Sequence, residues 1–349
     1  MSTIDIVIPC YNYARYLPGC VSSVLSQPGV DVRVLILDDA STDETSIVGQ
    51  RLAATDSRVS YRRHSINHGH IATYNEGLLG WATADYSVLL SADDLLSPGS
   101  LARAANLMDA HPNIGLVYGA TVHFEHESTL PSFSPCTENF ASSTWSGARW
   151  IELRCRAGYN VITSPEVVVR SSVQRAAGGY RPELPHAGDL EMWLRIASLS
   201  DIAYISRTPQ AFYRVHSESM MRTRFRGRFL DLHQRRAAFN DFFDHAPPSL
   251  PNSTLLRDLA QRSLAKEALW EACRAYDRGQ VEQSGVRDLI HFALSTCAAA
   301  DSLPEYRALL RRRWLGSAVC SHTQLFAFPA LAHRMRHAAL KRRWQTQGV

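Results

Sequence analysis

Through the first part of the chain, short unbroken apolar runs alternate with segments whose apolar residues recur every three or four positions. Ile4 to Ile8, interrupted only by Asp5 and closed by Pro9, predicts a buried strand. Pro18 then opens a helix with Val21, Val24 and Leu25 on one face. Val32 to Leu37, Val59 to Tyr61, Tyr86 to Leu90 and Ile114 to Tyr118 predict further strands. Helices fall between them, through Leu78, Leu79 and Ala82 and again from Pro98 to Met108. Strand, helix and strand at this spacing predict βαβ units, hence an α/β domain with a mostly parallel central sheet flanked by helices and right-handed crossovers.

Beyond Tyr118 the pattern loosens. Glu125 to Thr144, rich in Ser, Pro and Thr, predicts an irregular surface excursion. A helix over Trp145 to Cys155, a strand over Val167 to Arg170 and a turn at Gly178-Gly179-Tyr180-Arg181-Pro182 follow. Leu190, Trp193, Leu194 and Ala197 then recur at helical spacing, which puts Asp189 at the N-terminal end of a helix. After a strand at Ile202 to Ile205 and an arginine cluster, Arg222, Arg224, Arg226 and Arg228, the periodicity from Phe229 onward is helical and rich in Ala and Arg. The arginines read as a solvated loop, or as a clasp for an anionic ligand. The domain boundary falls near Arg226: an α/β catalytic domain over 1–225 and an α-helical region over 226–349.

Two strands run straight into paired carboxylates, Asp38-Asp39 and Asp93-Asp94. In open α/β sheets ligands bind beyond the carboxyl ends of the strands, where both pairs fall. Adjacent acids repel, so a site that keeps both ionised calls for a cation, and hard oxygen ligands suit Mg²⁺ or Mn²⁺. A lone acid pair before a helix is often only a cap; two such pairs on one sheet edge are harder to read that way. The same bland reading, an N-cap carboxylate at a helix dipole, applies to Asp189.

Charge and cysteine usage narrow the picture. The 37 Lys and Arg against 33 Asp and Glu among 349 residues give too small an excess to argue for nucleic acid. The distribution is uneven, however, because no acidic residue follows Glu305 while nine Lys and Arg do. Interleaved with Trp314, Leu315, Phe326, Phe328, Leu331 and Leu340, these cations predict weak peripheral contact with an anionic membrane, the alternative being a solvated face packed on the catalytic domain. Seven scattered cysteines with no Cys-x-x-Cys argue against a disulfide framework or a zinc site and fit a reducing, cytoplasmic compartment. Met1-Ser2-Thr3 leads directly into the first strand without a signal-like segment, and no apolar stretch approaches the roughly 20 residues that span a bilayer. The expectation is a cytoplasmic protein, peripheral at most at the inner face of the membrane.

Ile8-Pro9-Cys10-Tyr11-Asn12, Leu37-Asp38-Asp39-Ala40-Ser41-Thr42-Asp43, Asn67-x-Gly69 with Asn75-x-Gly77, Leu90-Ser91-Ala92-Asp93-Asp94 and Gly188-Asp189-Leu190-Glu191-x-Trp193-Leu194-Arg195 together resemble the family 2 inverting glycosyltransferases of the GT-A fold. The resemblance covers roughly the first two-thirds of the chain. It implies a nucleotide-sugar donor, most often UDP-linked, bound through Pro9, Tyr11, Asn12, Asp39, Asn67, Gly69, Asn75 and Asp93, with Tyr11 stacking on the base and Asp39 accepting from its ring N–H. It also implies a divalent Mg²⁺ or Mn²⁺ at Asp93, Asp94 and His216, and Asp189 as catalytic base toward a saccharide, lipid-linked or other hydroxyl acceptor in cell-surface polysaccharide or glycoconjugate synthesis. The chain departs from the family in carrying Ser91 where many members have an acid, and Gly188 before Asp189 where many have Glu, which makes Glu191 a rival base. Helix geometry sets Glu191 about 200° around from Asp189, so the two do not face one site.

The chemistry agrees with the residues. Inverting transfer is one in-line displacement, needing a base for the acceptor hydroxyl and a charge sink for the leaving diphosphate. A hydrolase would need two carboxyl groups flanking the bond. A nucleotidyltransferase would show a basic Gly-rich loop where Pro9-Cys10-Tyr11-Asn12 stands, and a nicotinamide oxidoreductase a G-x-G-x-x-G there. The nucleotidyltransferase stays the runner-up on this architecture, and a catalytically inactive nucleotide-sugar-binding protein of the same fold is the other alternative.

Overall fold

The computed structural model describes residues 1–130, 140–217, 227–323 and 325–349. Two compact units emerge: Met1–Trp150 with Asn160–Phe225 and Gln345–Gly348, and Ile151–Tyr159 with Arg226–Trp344 and Val349. They differ from a single cut at residue 226 in two places, since residues 151–159 group with the helical unit and residues 345–348 with the sheet unit.

The first unit is built on one mixed sheet. Its strands are β1 (Thr3–Cys10), β2 (Asp31–Asp38), β3 (Val59–Arg63), β4 (Tyr86–Leu89), β5 (Leu95–Leu96), β6 (Ile114–Phe124), β7 (Ala141–Trp145), β8 (Val168–Arg170) and β9 (Asp201–Arg214). They lie in the order β3-β2-β1-β4-β8-β6-β9-β5, with β7 paired to β9. The βαβ portion, β3-β2-β1-β4, is wholly parallel. The other half is mixed: β8 runs antiparallel to both β4 and β6, β9 is parallel to β6, and β5 and β7 are antiparallel to β9.

Helices α1 (Leu17–Leu25), α2 (Thr45–Thr55), α3 (His70–Asn75), α4 (Ser100–Ala110), α6 (Ser171–Ala177) and α7 (Gly188–Ala197) accompany these strands, while α5 (Gly147–Ala157) begins in this unit and groups from Ile151 on with the second. Ile4, Ile6, Ile8, Val34 and Ile36 of the sheet pack with Leu17, Val21 and Val24 of α1 and Leu101 and Met108 of α4 in one buried core. Each such side chain contributes roughly 1.5–3 kcal/mol on leaving water. The polar residue inside the first run is built in: Asp5, fully buried, takes a bidentate pair from Arg33 at 2.8 and 2.7 Å and the backbone N–H groups of Thr83 and Ala84. After α3 the chain continues as a π-turn over Glu76–Trp81, and a Cβ on Gly77 would stand 2.2 Å from a Val7 methyl carbon, so only glycine lets this turn lie on β1.

The second unit is helical, comprising α8 (Arg228–Asp244), α9 (Ser253–Asp277), α10 (Val286–Thr296), α11 (Pro304–Leu315), α12 (Ser317–His322) and α13 (Ala327–Gln347). The long α9 supplies buried Leu256, Leu264, Ala268, Leu269 and Ala272 to its core. Arg235 is tied there to Glu267 at 2.9 Å, and Arg312 to Asp277 at 2.7 Å. Of the arginine cluster, Arg222, Arg224 and Arg226 lie outside the described residues, while Arg228 pairs with Glu271.

Candidate active site

The carboxyl ends of β1 and β2 open onto a cavity of 730 Å³ lined by Pro9, Tyr11, Asn12, Asp39, Asn67, Gly69, His70, Tyr74 and Ser91 among others. Its walls are turns held by side chains. Asn12 sits at φ 59°, and its side-chain oxygen accepts the Thr42 N–H at 2.8 Å. The two acids that end β2 separate, because successive side chains point to opposite faces. Asp38 is fully buried, accepting from Ser41 N–H and the Tyr61 hydroxyl, so it is a structural carboxylate. Asp39 lines the cavity; its Oδ1 accepts from His64 Nδ1 and the His68 N–H, and its Oδ2 from the Gly69 N–H. Burial alone would raise its pKa, but these hydrogen bonds win and lower it. Tyr11 is half exposed, leaving a free aromatic face.

Asn75 is placed otherwise. Its amide donates to the Tyr180 carbonyl at 2.9 Å and accepts the Tyr180 N–H at 2.7 Å, and a Cβ on Gly179 would collide with it. Asn75 therefore clamps the turn before α7 to α3, using one N–H and one acceptor direction of its amide on that backbone.

Asp93 and Asp94 follow β4, and the far end of β9 comes back to meet them. Arg214 donates its backbone N–H to Asp94 Oδ1 and its Nε to the Asp93 carbonyl, both at 2.8 Å, and pairs through Nη2 with Glu127. His216 Nε2 lies 2.9 Å from Asp93 Oδ2, and its ring stands against Tyr13 and Tyr16. Asp93 Oδ1 is buried with no hydrogen-bond partner in the structure. Asp94 has its pKa raised well above the usual carboxylate range by burial and then by the adjacent Asp93 charge. An orphaned carboxylate oxygen beside an acid that resists ionisation is an arrangement a divalent cation would relieve, so the donor set fits Mg²⁺ or Mn²⁺. No group of three or more metal-ligating side chains occurs among the described residues. The protein would thus supply few ligands, as is usual where substrate phosphates and water complete the shell.

A second cavity, of 190 Å³, shares Pro9, His70, Tyr74 and Ser91 with the first and is lined as well by Asp94, Ser164, Tyr180, His186 and Asp189. Asp189 stands in the first turn of α7, with the Ser164 hydroxyl donating to its Oδ2. Burial raises its pKa, with the hydrogen bond from Ser164 and the nearby His70 opposing. Glu191 points elsewhere: it is buried and paired with Arg195, whose Nε lies 2.8 Å from its Oε1. Glu166, also buried, accepts the Thr163 N–H at 2.7 Å and is pushed up to about 7 by burial.

Ser164, which lines the second cavity, and Glu166, His64 and Arg214, which hold Thr163, Asp39 and the Asp93-Asp94 pair from behind, carried no sequence signal, because each is brought there through a loop or strand end that only the tertiary fold places. The arginine at the end of β9 was hidden by Ser206-Arg207-Thr208-Pro209, which interrupts the apolar run; the strand continues through a register shift at Gly119 to Thr121 of β6.

Residues 5–160 match the family model described as "Glycosyl transferase family 2". A chondroitin synthase of Pasteurella multocida is 24% identical over 205 residues, which is 58% of this chain and 20% of that protein, so the chain spans a fifth of that relative's length. Among solved structures, Staphylococcus aureus TarS 1-349 in complex with UDP-GlcNAc superposes with a TM-score of 0.64 at 14% identity, covering 89% of each chain. A Pyrobaculum calidifontis mannosyltransferase in complex with GDP-Man and Mn²⁺ gives 0.54 at 17% identity, over 98% of this chain and 87% of that one. These likenesses establish the GT-A-type fold of the sheet unit.

Proposed function

We propose that this chain, a glycosyltransferase belonging to glycosyl transferase family 2, moves a sugar from a UDP-linked donor to an acceptor hydroxyl with inversion, assisted by Mg²⁺ or Mn²⁺. The observation that carries the reading is the pairing of two adjoining cavities, one lined by Tyr11 and Asp39 and the other by Asp189. Tyr11 offers a ring for a base to stack on, and Asp39 an acceptor for a ring N–H. Asp189 takes the proton of the acceptor hydroxyl as its oxygen attacks the anomeric carbon; the bond from that carbon to the diphosphate oxygen breaks, and the diphosphate leaves with the electron pair. A divalent cation held by Asp93 and Asp94 would supply charge neutralisation for the leaving diphosphate. The burial that raises the Asp189 pKa also makes its carboxylate a stronger base once deprotonated. The nucleotide sugars in the complexes of TarS and the mannosyltransferase support a nucleotide-sugar donor, and the Mn²⁺ in the latter supports a metal.

Isothermal calorimetry with UDP, with and without Mn²⁺, tests the donor and metal assignments together. Binding is expected to tighten with Mn²⁺ in the parent and to lose that gain in Asp93→Ala. UDP affinity indifferent both to the metal and to Asp93→Ala would remove the metal from the mechanism.

For the site of action we propose the cytoplasmic face of a membrane, in synthesis of cell-surface polysaccharide or glycoconjugate. The described cysteines 10, 20, 155, 273, 297 and 320 are free and buried, which suits a reducing compartment. No helix among the described residues is long and apolar enough to cross a membrane. Helix α13 instead exposes Phe328, Leu331 and Met335 at helical spacing, and Trp314 of α11 is 86% exposed. With Arg334, Arg342 and Arg343 also exposed and no acid after Glu305, this pattern supports in-plane contact with anionic lipid. In liposome flotation the chain should rise with phosphatidylserine vesicles at low salt and remain below at high salt or with neutral vesicles; equal flotation of a chain ending near Glu305 would remove the C-terminal helices from the contact.

A further inference from the structure

His64 directly follows β3, and its backbone N–H extends the pairing to β2 by donating to the Asp38 carbonyl at 2.9 Å. Its ring lies between two acids from different parts of the chain. Nδ1 is 2.8 Å from Asp39 Oδ1, and Nε2 is 2.8 Å from Glu76 Oε2 in the π-turn. An ionised carboxylate can only accept, and a neutral imidazole carries one N–H. With both acids ionised, both contacts are satisfied together only when both ring nitrogens are protonated, so the arrangement favours an imidazolium.

The surrounding charges agree. Asp39 and Glu76 face the ring directly, and the His68 ring stacks on it at 4.5 Å. On β3, Arg62 is engaged with Glu76 at 2.9 Å, and Arg63 lies 3.7 Å from Asp38. Burial on its own would lower the His64 pKa, but the hydrogen bonds to Asp39 and Glu76 outweigh it and raise the value. Asp39 in turn has Oδ1 filled by His64 and the His68 N–H and Oδ2 half filled by the Gly69 N–H. One acceptor direction on Oδ2 remains for a ligand, and His64 holds the carboxylate in the rotamer that presents it.

We infer that His64 is a positioning residue for the nucleobase: as an imidazolium bridging Asp39 and Glu76 it fixes the Asp39 carboxylate toward the cavity, and nucleotide affinity therefore depends on its charge. The inference rests on the nucleotide-binding reading of that cavity. When the ring loses a proton, one nitrogen presents a lone pair to a carboxylate at hydrogen-bond distance, and that contact must open or the acid must take up a proton. The raised pKa fixes the direction: the positioned state is complete below the ordinary histidine range and is lost as pH rises through the raised value.

The test is calorimetric titration of the full chain with UDP and Mg²⁺ from about pH 6 to about pH 8.5, where the uracil ring keeps its N–H, for the parent and for His64→Gln, whose amide cannot bridge both acids as the ring does. The terminal phosphate of UDP titrates equally in both, so the ratio of their affinities isolates His64. The parent is expected to bind about tenfold tighter at the acid end, the order of one charge-assisted hydrogen bond, with the advantage shrinking toward the alkaline end. In parallel, ¹⁵N correlation spectra of the parent alone should show both His64 ring nitrogens protonated at neutral pH, a readout available even if the variant fails to fold. A neutral His64 ring at neutral pH, or an affinity ratio constant across the whole range, overturns the inference. Failure of the parent to bind UDP at all would instead strike the nucleotide reading, and the ring spectra would still report the charge of His64.

Discussion

Asp189→Asn is expected to lower transfer by about 10²- to 10⁴-fold, the range general base catalysis contributes, while leaving the fold and UDP affinity near those of the parent. The substitution keeps the size of a side chain in the first turn of α7, and Asn retains an oxygen that can accept from the Ser164 hydroxyl. It removes only the capacity to take a proton. Stability should respond in the opposite sense to activity. The Asp189 pKa is raised in the folded state, so the carboxyl contributes stability fully below its unfolded value and loses it as pH rises through the folded one. The Asn variant carries no such loss and should melt at or above the parent temperature at mildly alkaline pH. Steady-state transfer with any accepted donor, together with thermal melts across pH, separates the two effects. The parent rate should also rise with pH as Asp189 deprotonates, and that acid limb should be missing from the residual rate of the variant. Transfer by Asp189→Asn within a few-fold of the parent would remove Asp189 from the role of base and leave it a first-turn carboxylate held by Ser164.

Parts of this site could be read directly from the chain and parts could not, for identifiable physical reasons. The parallel half of the sheet is legible because its buried strands are continuous apolar runs bounded by Pro9 and by acids, and local pattern alone marks them. The mixed half is legible only in part: the runs at Ile114, Val167 and Ile202 mark β6, β8 and the start of β9, but β9 carries Ser206-Arg207-Thr208-Pro209 in its middle and pairs with β6 through a register shift that no period-2 pattern records. Hidden with it was the way Arg214 reaches Asp93 and Asp94. Acid pairs announce a site but not which acid serves it: Asp38 went to the turn and Asp39 to the cavity, a division set by the strand's alternation at one residue's resolution. Asn75 lay within a motif that suggested a ligand, yet its amide is complementary to a backbone segment more than a hundred residues away. His64 and Ser164 had no pattern at all, because a lone polar residue acquires its role only from the neighbours that the fold supplies.

Glu191→Ala should cost stability instead of catalysis, roughly 3–5 kcal/mol, the range for removing one partner of a buried ion pair and leaving the other uncompensated. Glu191 is 1% exposed and holds Arg195 across one turn of α7. Arg195 also donates to the Ala177 carbonyl at the end of α6 and, at 2.9 Å, to the Gly179 carbonyl. That one guanidinium therefore ties α6, the glycine turn and α7 together, and the same turn carries Tyr180, which Asn75 clamps from α3. With Glu191 gone, Arg195 either stays as an unpaired charge in a mostly buried place or swings out and releases both carbonyls. In either case the support under Asp189 weakens while Asp189 itself is unchanged. Urea denaturation should show the midpoint falling with the slope preserved, and Glu191→Gln, which keeps the volume and one acceptor, should lose less. Transfer per folded molecule in Glu191→Gln should stay within a few-fold of the parent. A Glu191→Gln protein that unfolds like the parent yet transfers no sugar would contradict this division of roles and make Glu191 the base.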